Sequence, residues 1–303
     1  MSATATASVL LKLARPKQWV KNILVVAAPL AGGVLLNPQV MIATLVAFVA
    51  FSCAASSIYM INDVLDVEAD RAHPKKRFRP VAAGLVAPRT ATITGLCLAA
   101  ASIAIPLIMK PILRPEYGGF KLAAIIVGYL FLQANYVIWL KHQPVLDIAT
   151  VAGGFLLRAI AGGTAAGVPI SKSFLIVVSF GALFMVVGKR LAELVSHEQG
   201  EVATRRILAK YTASYLRMLL AVSISVTLIG YTMWAFEIDA GGHGFVPFAA
   251  ISVIPFALAI LRYARDVDTA GGEAPEDAVF ADPTLLVLGL LWVAMFVGHV
   301  VQP

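Results

Sequence analysis

The chain has 303 residues, of which 59% are hydrophobic and only 14% charged, with a formal net charge of +7. A soluble domain carries about 25% charged residues, so this composition excludes a water-soluble globular protein and equally a disordered polyelectrolyte. The length would otherwise accommodate two soluble domains, but no polar segment is long enough to build one. Residues 1–303 read as a single polytopic transmembrane domain.

Lys12, Arg15, Lys17 and Lys21 precede the first apolar run, and no cleavage pattern follows them, so the first helix reads as uncleaved. Lys17 and Lys21 flank Trp19 at the membrane boundary. They serve there either as ligands of a lipid phosphate or as snorkelling topology anchors. The uncharged run 22–62 is twice the roughly 20 residues that one span needs. Asn37-Pro38 breaks it with a turn signal, which predicts a hairpin of two spans.

Further spans are expected over 90–109, 122–140, about 145–165 (interrupted by Arg158), 173–188, 218–236, 240–261 and 283–303. The sum is nine transmembrane helices in an all-α fold. The polar stretches 62–89, 189–217 and 262–283 are expected to be loops. The last of them, with Asp266, Asp268, Glu273, Glu276 and Asp277 among glycines, reads as a flexible solvated connector.

With the N-terminus inside, 19 of the 24 Lys and Arg residues fall on the cytoplasmic side, four fall outside, and Arg158 lies within a span. That asymmetry predicts a cytoplasmic N-terminus and an external C-terminus. The positive net charge is therefore a topology signal and not a nucleic-acid footprint. Cys53 and Cys97 fall inside predicted spans and carry no disulfide information. No phosphate-binding glycine loop and no nucleophile elbow is present.

Chemistry concentrates where the second span reaches the cytoplasm, in Asn62-Asp63-Val64-Leu65-Asp66-Val67-Glu68-Ala69-Asp70. At about 100° per residue, Asp63, Asp66 and Asp70 fall within an arc of roughly 60°. Carboxylates on one stripe repel unless a cation sits among them. Three carboxylates with the Asn62 amide suit Mg²⁺, which keeps waters and completes its shell with substrate phosphates. Arg71, Lys75, Lys76, Arg77 and Arg79 follow directly. A metal site beside such a basic cluster is what a diphosphate requires, with Arg77 and Arg79, nearest the next span, as the leading candidates. The plainer alternatives are a solvated acidic helix end and a basic loop on anionic lipid heads.

Arg158 is a charge within a span, costly there and hence a functional candidate. It stands eleven residues after Asp147, on the same face of the fifth span. Gly153, Gly154, Gly162 and Gly163 around it permit close helix approach. A buried structural ion pair is the alternative.

Asn-Asp-x-x-Asp-x-x-x-Asp at 62–70 with Arg-Pro-x-x-x-Gly at 79–84 resembles the first signature of the UbiA superfamily of intramembrane prenyltransferases. Tyr136, Lys141 and the following Pro144 and Asp147 resemble that family's second conserved region. The resemblance implies that Tyr136 and Lys141 line the active-site cavity. The third region departs: where typical members carry a second Asp-x-x-x-Asp, this chain has Gly188-Lys189-Arg190-Leu191-Ala192-Glu193. Replacing an acidic position by Lys189-Arg190 builds a second anion site, which suits an enzyme holding a diphosphate and another phosphate together.

That motif and the Gly-Gly-Phe-Leu-Leu-Arg-Ala-Ile-Ala-Gly-Gly run at 153–163 resemble the family's phosphoribosyl-transferring branch. The resemblance implies a Mg²⁺-dependent glycosyltransferase of the bacterial inner (plasma) membrane, with its active site on the cytoplasmic side. It would move 5-phosphoribosyl from phosphoribosyl diphosphate to a polyprenyl (decaprenyl) phosphate, a step in cell-wall arabinan precursor synthesis.

On this reading Asp63, Asp66, Asp70, Lys189 and Glu193 are catalytic, and Asn62, Asp63, Asp66 and Asp70 hold the metal. Lys17, Lys21, Asn62, Arg77, Arg79, Tyr136, Lys141, Asp147, Arg158 and Arg190 bind substrate. Membrane lipids are the remaining partner, and the oligomeric state stays open, a homo-oligomer included. Two competitors remain: ordinary prenyl transfer to an aromatic acceptor, which the altered third region disfavours, and transport of a phosphorylated solute, which the nearly uncharged external half disfavours.

Overall fold

The computed structural model describes residues 3–109, 119–198, 206–241, 246–270 and 282–301, and among these every regular element is a helix. In chain order the α-helices are α1 (Ala3–Ala14), α2 (Ala27–Ala31), α3 (Pro38–Leu65), α4 (Val67–Ala72), α5 (Pro88–Ile108) and α6 (Gly119–Ile138). They continue with α7 (Leu146–Ala166), α8 (Lys172–Glu198), α9 (Ala213–Gly241), α10 (Phe248–Ala270) and α11 (Pro283–Val301). Short 3₁₀ segments lie at Pro16–Val26, Lys76–Phe78, Leu140–His142 and Arg206–Lys210.

Seven of these helices are long and apolar enough to cross a membrane: α3, α5, α6, α7, and most of α8, α9 and α10. Their lipid-facing character is visible in large apolar side chains left exposed, such as Leu45, Ile93, Phe131, Ile229 and Leu258. In water such surfaces would aggregate, whereas in hydrocarbon they are solvated. The chain is an integral membrane protein. The eighth apolar helix, α11, is shorter in its apolar part, Pro283–His299.

The expected first hairpin arm takes a different form. Residues 16–31 are a 3₁₀ segment running into the five-residue α2 instead of one straight helix. Pro16 opens the segment, and Pro29, which lacks an N–H, cannot bond back to Val25 and so breaks the ladder where the 3₁₀ segment meets α2. The Asn37-Pro38 turn signal resolves into a helix start: the Asn37 side chain accepts from the N–H groups of Gln39 and Val40, with Pro38 at the first helical position.

All three expected loops are partly helical, the 62–89 stretch holding the end of α3 and the whole of α4. The α8 helix runs to Glu198, so Lys189, Arg190 and Glu193 sit on its last turns. The α10 helix runs to Ala270, taking in Asp266 and Asp268. Arg262 pairs with Asp266 one turn on, and it also donates to Asp282 before α11 at 2.7 Å. Such pairs extend a helix past the apolar run. Glu273, Glu276 and Asp277 lie outside the described residues.

The chain divides into two compact units. The first comprises residues 1–138 and 157–169, the second 139–156 and 170–303, so α7 gives its first half to the second unit and the rest to the first. One core of the first unit gathers Val25, Ala47, Phe51, Leu122, Ile126 and Ala161. Another, at the end of α3, gathers Leu13, Met60, Val81 and Ala91. Small residues on α3 (Ala43, Ala47, Ala50, Ala54) let its neighbours approach closely. Gly162 marks one of the close approaches: a Cβ there would overlap the Val25 carbonyl. The second unit is built on Ile148, Phe184, Val187, Leu191, Leu216, Tyr263 and Leu285.

Candidate active site

The acidic motif continues α3 into α4 through a bend at Asp66, whose φ −93° and ψ 8° leave the helical region. Hydrogen bonds from Asp66 N to Asn62 O and from Asp70 N to Asp66 O carry the register across the bend. The predicted stripe therefore survives. Asp63 and Asp70 are buried, while Asp66 and Asn62 are half-buried and Glu68 points to solvent.

One Arg79 nitrogen donates to both Asp63 (3.2 Å) and Asp70 (2.7 Å). The same Asp63 oxygen also accepts from the Arg15 guanidinium at 2.5 Å, which stacks over the Tyr59 ring. Arg15 occupies the left-handed region (φ 55°), turning the chain out of α1 so that its side chain reaches the motif. Arg71 donates to the Ala82 carbonyl, which shapes the Arg79-Pro80 turn, and Gly84 in that turn has φ +73°. Arg77 is exposed and stacks on Phe78. The basic cluster thus separates: Arg79 faces the carboxylates and Arg77 does not.

Among the described residues no group of three His, Cys, Asp or Glu side chains is close enough to hold a metal unaided. The donors present are nevertheless hard oxygens, and two carboxylates converge on a single cationic nitrogen. That arrangement fits Mg²⁺, which takes one or two carboxylates and completes its shell with water and phosphate oxygens. Arg79 and Arg15 supply the positive charge that carboxylates buried this deeply need.

Arg158 lies within the same unit, almost fully buried. Its Nε donates to the Asn22 side-chain oxygen at 2.7 Å and an amino group donates to the Tyr129 hydroxyl at 3.0 Å. Its guanidinium also rests over the rings of Tyr129 and Phe51. Asn22 in turn donates to Ser52. Trp19 donates to Ser56, so the indole expected at the interface turns inward. Lys17 is exposed and Lys21 half-buried on the same 3₁₀ segment. Tyr136 is half-buried on the last turn of α6.

The second unit carries the third motif. Arg190, at the centre of α8's buried face, donates to Asp147 at 3.2 Å and to Glu193 at 3.4 Å. Tyr211 donates its hydroxyl proton to the other Asp147 oxygen. Burial, and next the hydrogen bond to Asp147, raise the Tyr211 phenol well above its ordinary value. Lys189, half-buried, has no hydrogen-bond or ion-pair partner among the described residues. Lys141 is half-buried on the Leu140–His142 segment.

Arg15, Asn22, Tyr129 and Tyr211 were not singled out as site residues by sequence. Arg15 was counted among topology charges, and the only local hint was its place before Pro16. The contacts of the other three are long-range and left no periodic trace.

The fold and the site together define an all-helical integral membrane protein with buried carboxylates paired to arginines at the end of a span. The chain belongs to the UbiA prenyltransferase family, whose model matches residues 23–281. It is 44% identical to a decaprenyl-phosphate phosphoribosyltransferase of Corynebacterium glutamicum, over 94% of this chain and 84% of that one. It is 46% identical to one of Mycobacterium tuberculosis, over 93% and 91%. Its fold is similar to that of a UbiA homolog from Archaeoglobus fulgidus bound to GPP and Mg²⁺, with a TM-score of 0.69 at 16% identity, covering 96% of this chain and 98% of that one.

Proposed function

We propose that this chain transfers the 5-phosphoribosyl group of phosphoribosyl diphosphate to a polyprenyl (decaprenyl) phosphate, releasing diphosphate. The observation that carries the reading is the 44–46% identity, across more than nine-tenths of the chain, to curated decaprenyl-phosphate phosphoribosyltransferases. The protein would sit in the bacterial inner membrane with its N-terminus and active site cytoplasmic. That orientation rests on the distribution of Lys and Arg. The 16–31 segment and α11 would complete nine crossings.

In this mechanism an ionised oxygen of the lipid phosphate attacks the anomeric carbon of ribose, the new C–O bond forms, and the C–O bond to diphosphate breaks. The nucleophile is already anionic, so no general base is required. The chain's work is to position two anions and stabilise the leaving one. Asp63, Asp66, Asp70 and Asn62 would hold Mg²⁺, which when bound supplies charge neutralisation at the diphosphate. Arg79 shifts part of its pairing from the carboxylates to the diphosphate oxygens, with Arg77 nearby in sequence. Lys189 and Lys141 receive the remaining phosphate charge, Lys17 and Lys21 face the lipid headgroup, and Glu193 holds the end of α8 in register with Arg190. Tyr136 lines the cavity.

The test is turnover by purified protein in detergent with phosphoribosyl diphosphate, polyprenyl phosphate and Mg²⁺, following diphosphate and lipid-linked ribose phosphate. Product that needs the metal and vanishes in Asp66→Ala is the expected result. No product here, but turnover of a prenyl diphosphate with an aromatic acceptor, would overturn the reading.

A further inference from the structure

The segment between α6 and α7 is held in a shape that its own sequence disfavours. Val145 has φ +69°, a conformation that is an outlier for a β-branched residue. Strain of this kind persists only where surrounding contacts impose it, and it collects at functional positions. The imposing contact is identifiable: the Val145 N–H donates to the Tyr211 hydroxyl at 2.6 Å. The same hydroxyl donates its proton to Asp147, whose other oxygen accepts from Arg190. Asp147 is 0% exposed, Arg190 3% and Tyr211 7%. Next to this cluster the Lys210 ammonium donates to the His142 carbonyl at 3.1 Å. Residues 210–211 therefore hold the segment at two points, on either side of Gln143-Pro144.

The Tyr211 hydroxyl donates its single proton and accepts one N–H, and the Arg190 guanidinium is enclosed by carboxylates. Neither side chain is disposed to meet a substrate. Lys141, by contrast, lies on the segment that they fix.

We propose that Tyr211, Asp147 and Arg190 form a buried latch that holds the 140–145 segment in its strained shape and so sets where the Lys141 ammonium meets a substrate phosphate. Tyr211 is a positioning residue. Asp147 and Arg190, expected from sequence to bind substrate, serve the latch instead. Next to Arg190, Lys189 remains for the anion. This assignment rests on the phosphoribosyl-transfer reading for the identity of the anion, but not for the latch itself.

The experiment compares the full-length protein, Tyr211→Phe, Val145→Gly and the double variant in detergent. Tyr211→Phe removes one oxygen and keeps the ring. Two quantities are read: the rate of tryptic cleavage after Lys141, and kcat and KM with phosphoribosyl diphosphate and polyprenyl phosphate.

Tyr211→Phe is expected to speed cleavage after Lys141 and to raise one KM about tenfold, the weight of one lost hydrogen bond, with kcat nearly unchanged. Glycine accepts positive φ without strain, so adding Val145→Gly should restore much of the protection and of the KM. Wild-type protection at Lys141 in Tyr211→Phe would overturn the latch. A raised KM without faster cleavage would overturn it too, because Tyr211 would then be touching substrate. Should no variant, wild type included, use phosphoribosyl diphosphate, the functional reading fails while the cleavage rates still decide the latch.

Discussion

Asp63 and Asp70, on either side of the bend at Asp66, meet on one nitrogen of Arg79. Two buried carboxylates this close repel each other unless a cation lies between them. The protein provides that cation itself, with Arg15 adding a second on Asp63.

Folding should therefore not need the metal although turnover should. EDTA is expected to abolish product formation and leave the melting temperature in detergent unchanged. A large drop in melting temperature with EDTA would show that the arginines do not neutralise the motif.

Asp63→Ala and Asp66→Ala should separate in their effects. Each is expected to lower turnover roughly 10²–10³-fold, the scale of losing a stabilising group at a developing charge. Asp63 is the buried partner of two arginines, so its loss should also cost about 3 kcal/mol, whereas half-buried Asp66 should cost little. Thermal unfolding beside the activity assay distinguishes them.

Arg158→Leu should destabilise the first unit by about 2–3 kcal/mol, because the Asn22 and Tyr129 polar atoms are left buried with a partner removed. Arg158→Lys should recover only part of this, since an ammonium cannot reproduce two planar donors and a stacked face. Unfolding midpoints of the two variants supply the comparison.

Glycines offer a steric test. At Gly162 a Cβ would overlap the Val25 carbonyl, so Gly162→Ala should cost about 1–3 kcal/mol or block assembly. Gly128, on α6 with nothing within 4 Å of a would-be Cβ, should tolerate alanine with no loss. Equal behaviour of the two variants would contradict the close approach.

The Arg262 hydrogen bond holds Asp282 down at about 2. A depressed carboxyl contributes its stability in full above the ordinary value near 4. It loses that contribution as pH falls from there towards 2. Wild type should show this extra acid sensitivity between pH 4 and 2, and Asp282→Asn should lack it when melting temperatures are followed across that window.

Much of this arrangement was legible in the sequence because it is local or periodic. Uncharged runs located the long helices, and the 62–70 spacing placed Asp63 and Asp70 on one stripe even across a bend. The ends of α8 and α10 were misjudged because charge was read as loop, whereas pairs such as Arg190–Glu193 and Arg262–Asp266 keep a charged helix wound. Arg190 shows the deeper limit. Its place in the third motif was visible, but its partner Asp147 stands 43 residues away, and no spacing rule reports such a contact.

The left-handed turn at Arg15 has a practical consequence for handling the protein. It makes α1 a lever whose short arm ends on Asp63. Bulk or load attached ahead of Ala3 would be transmitted towards the acidic motif through Arg15 and through the packing of Leu13 on Met60. Affinity tags and fusion partners placed at the N-terminus therefore need a flexible spacer ahead of α1.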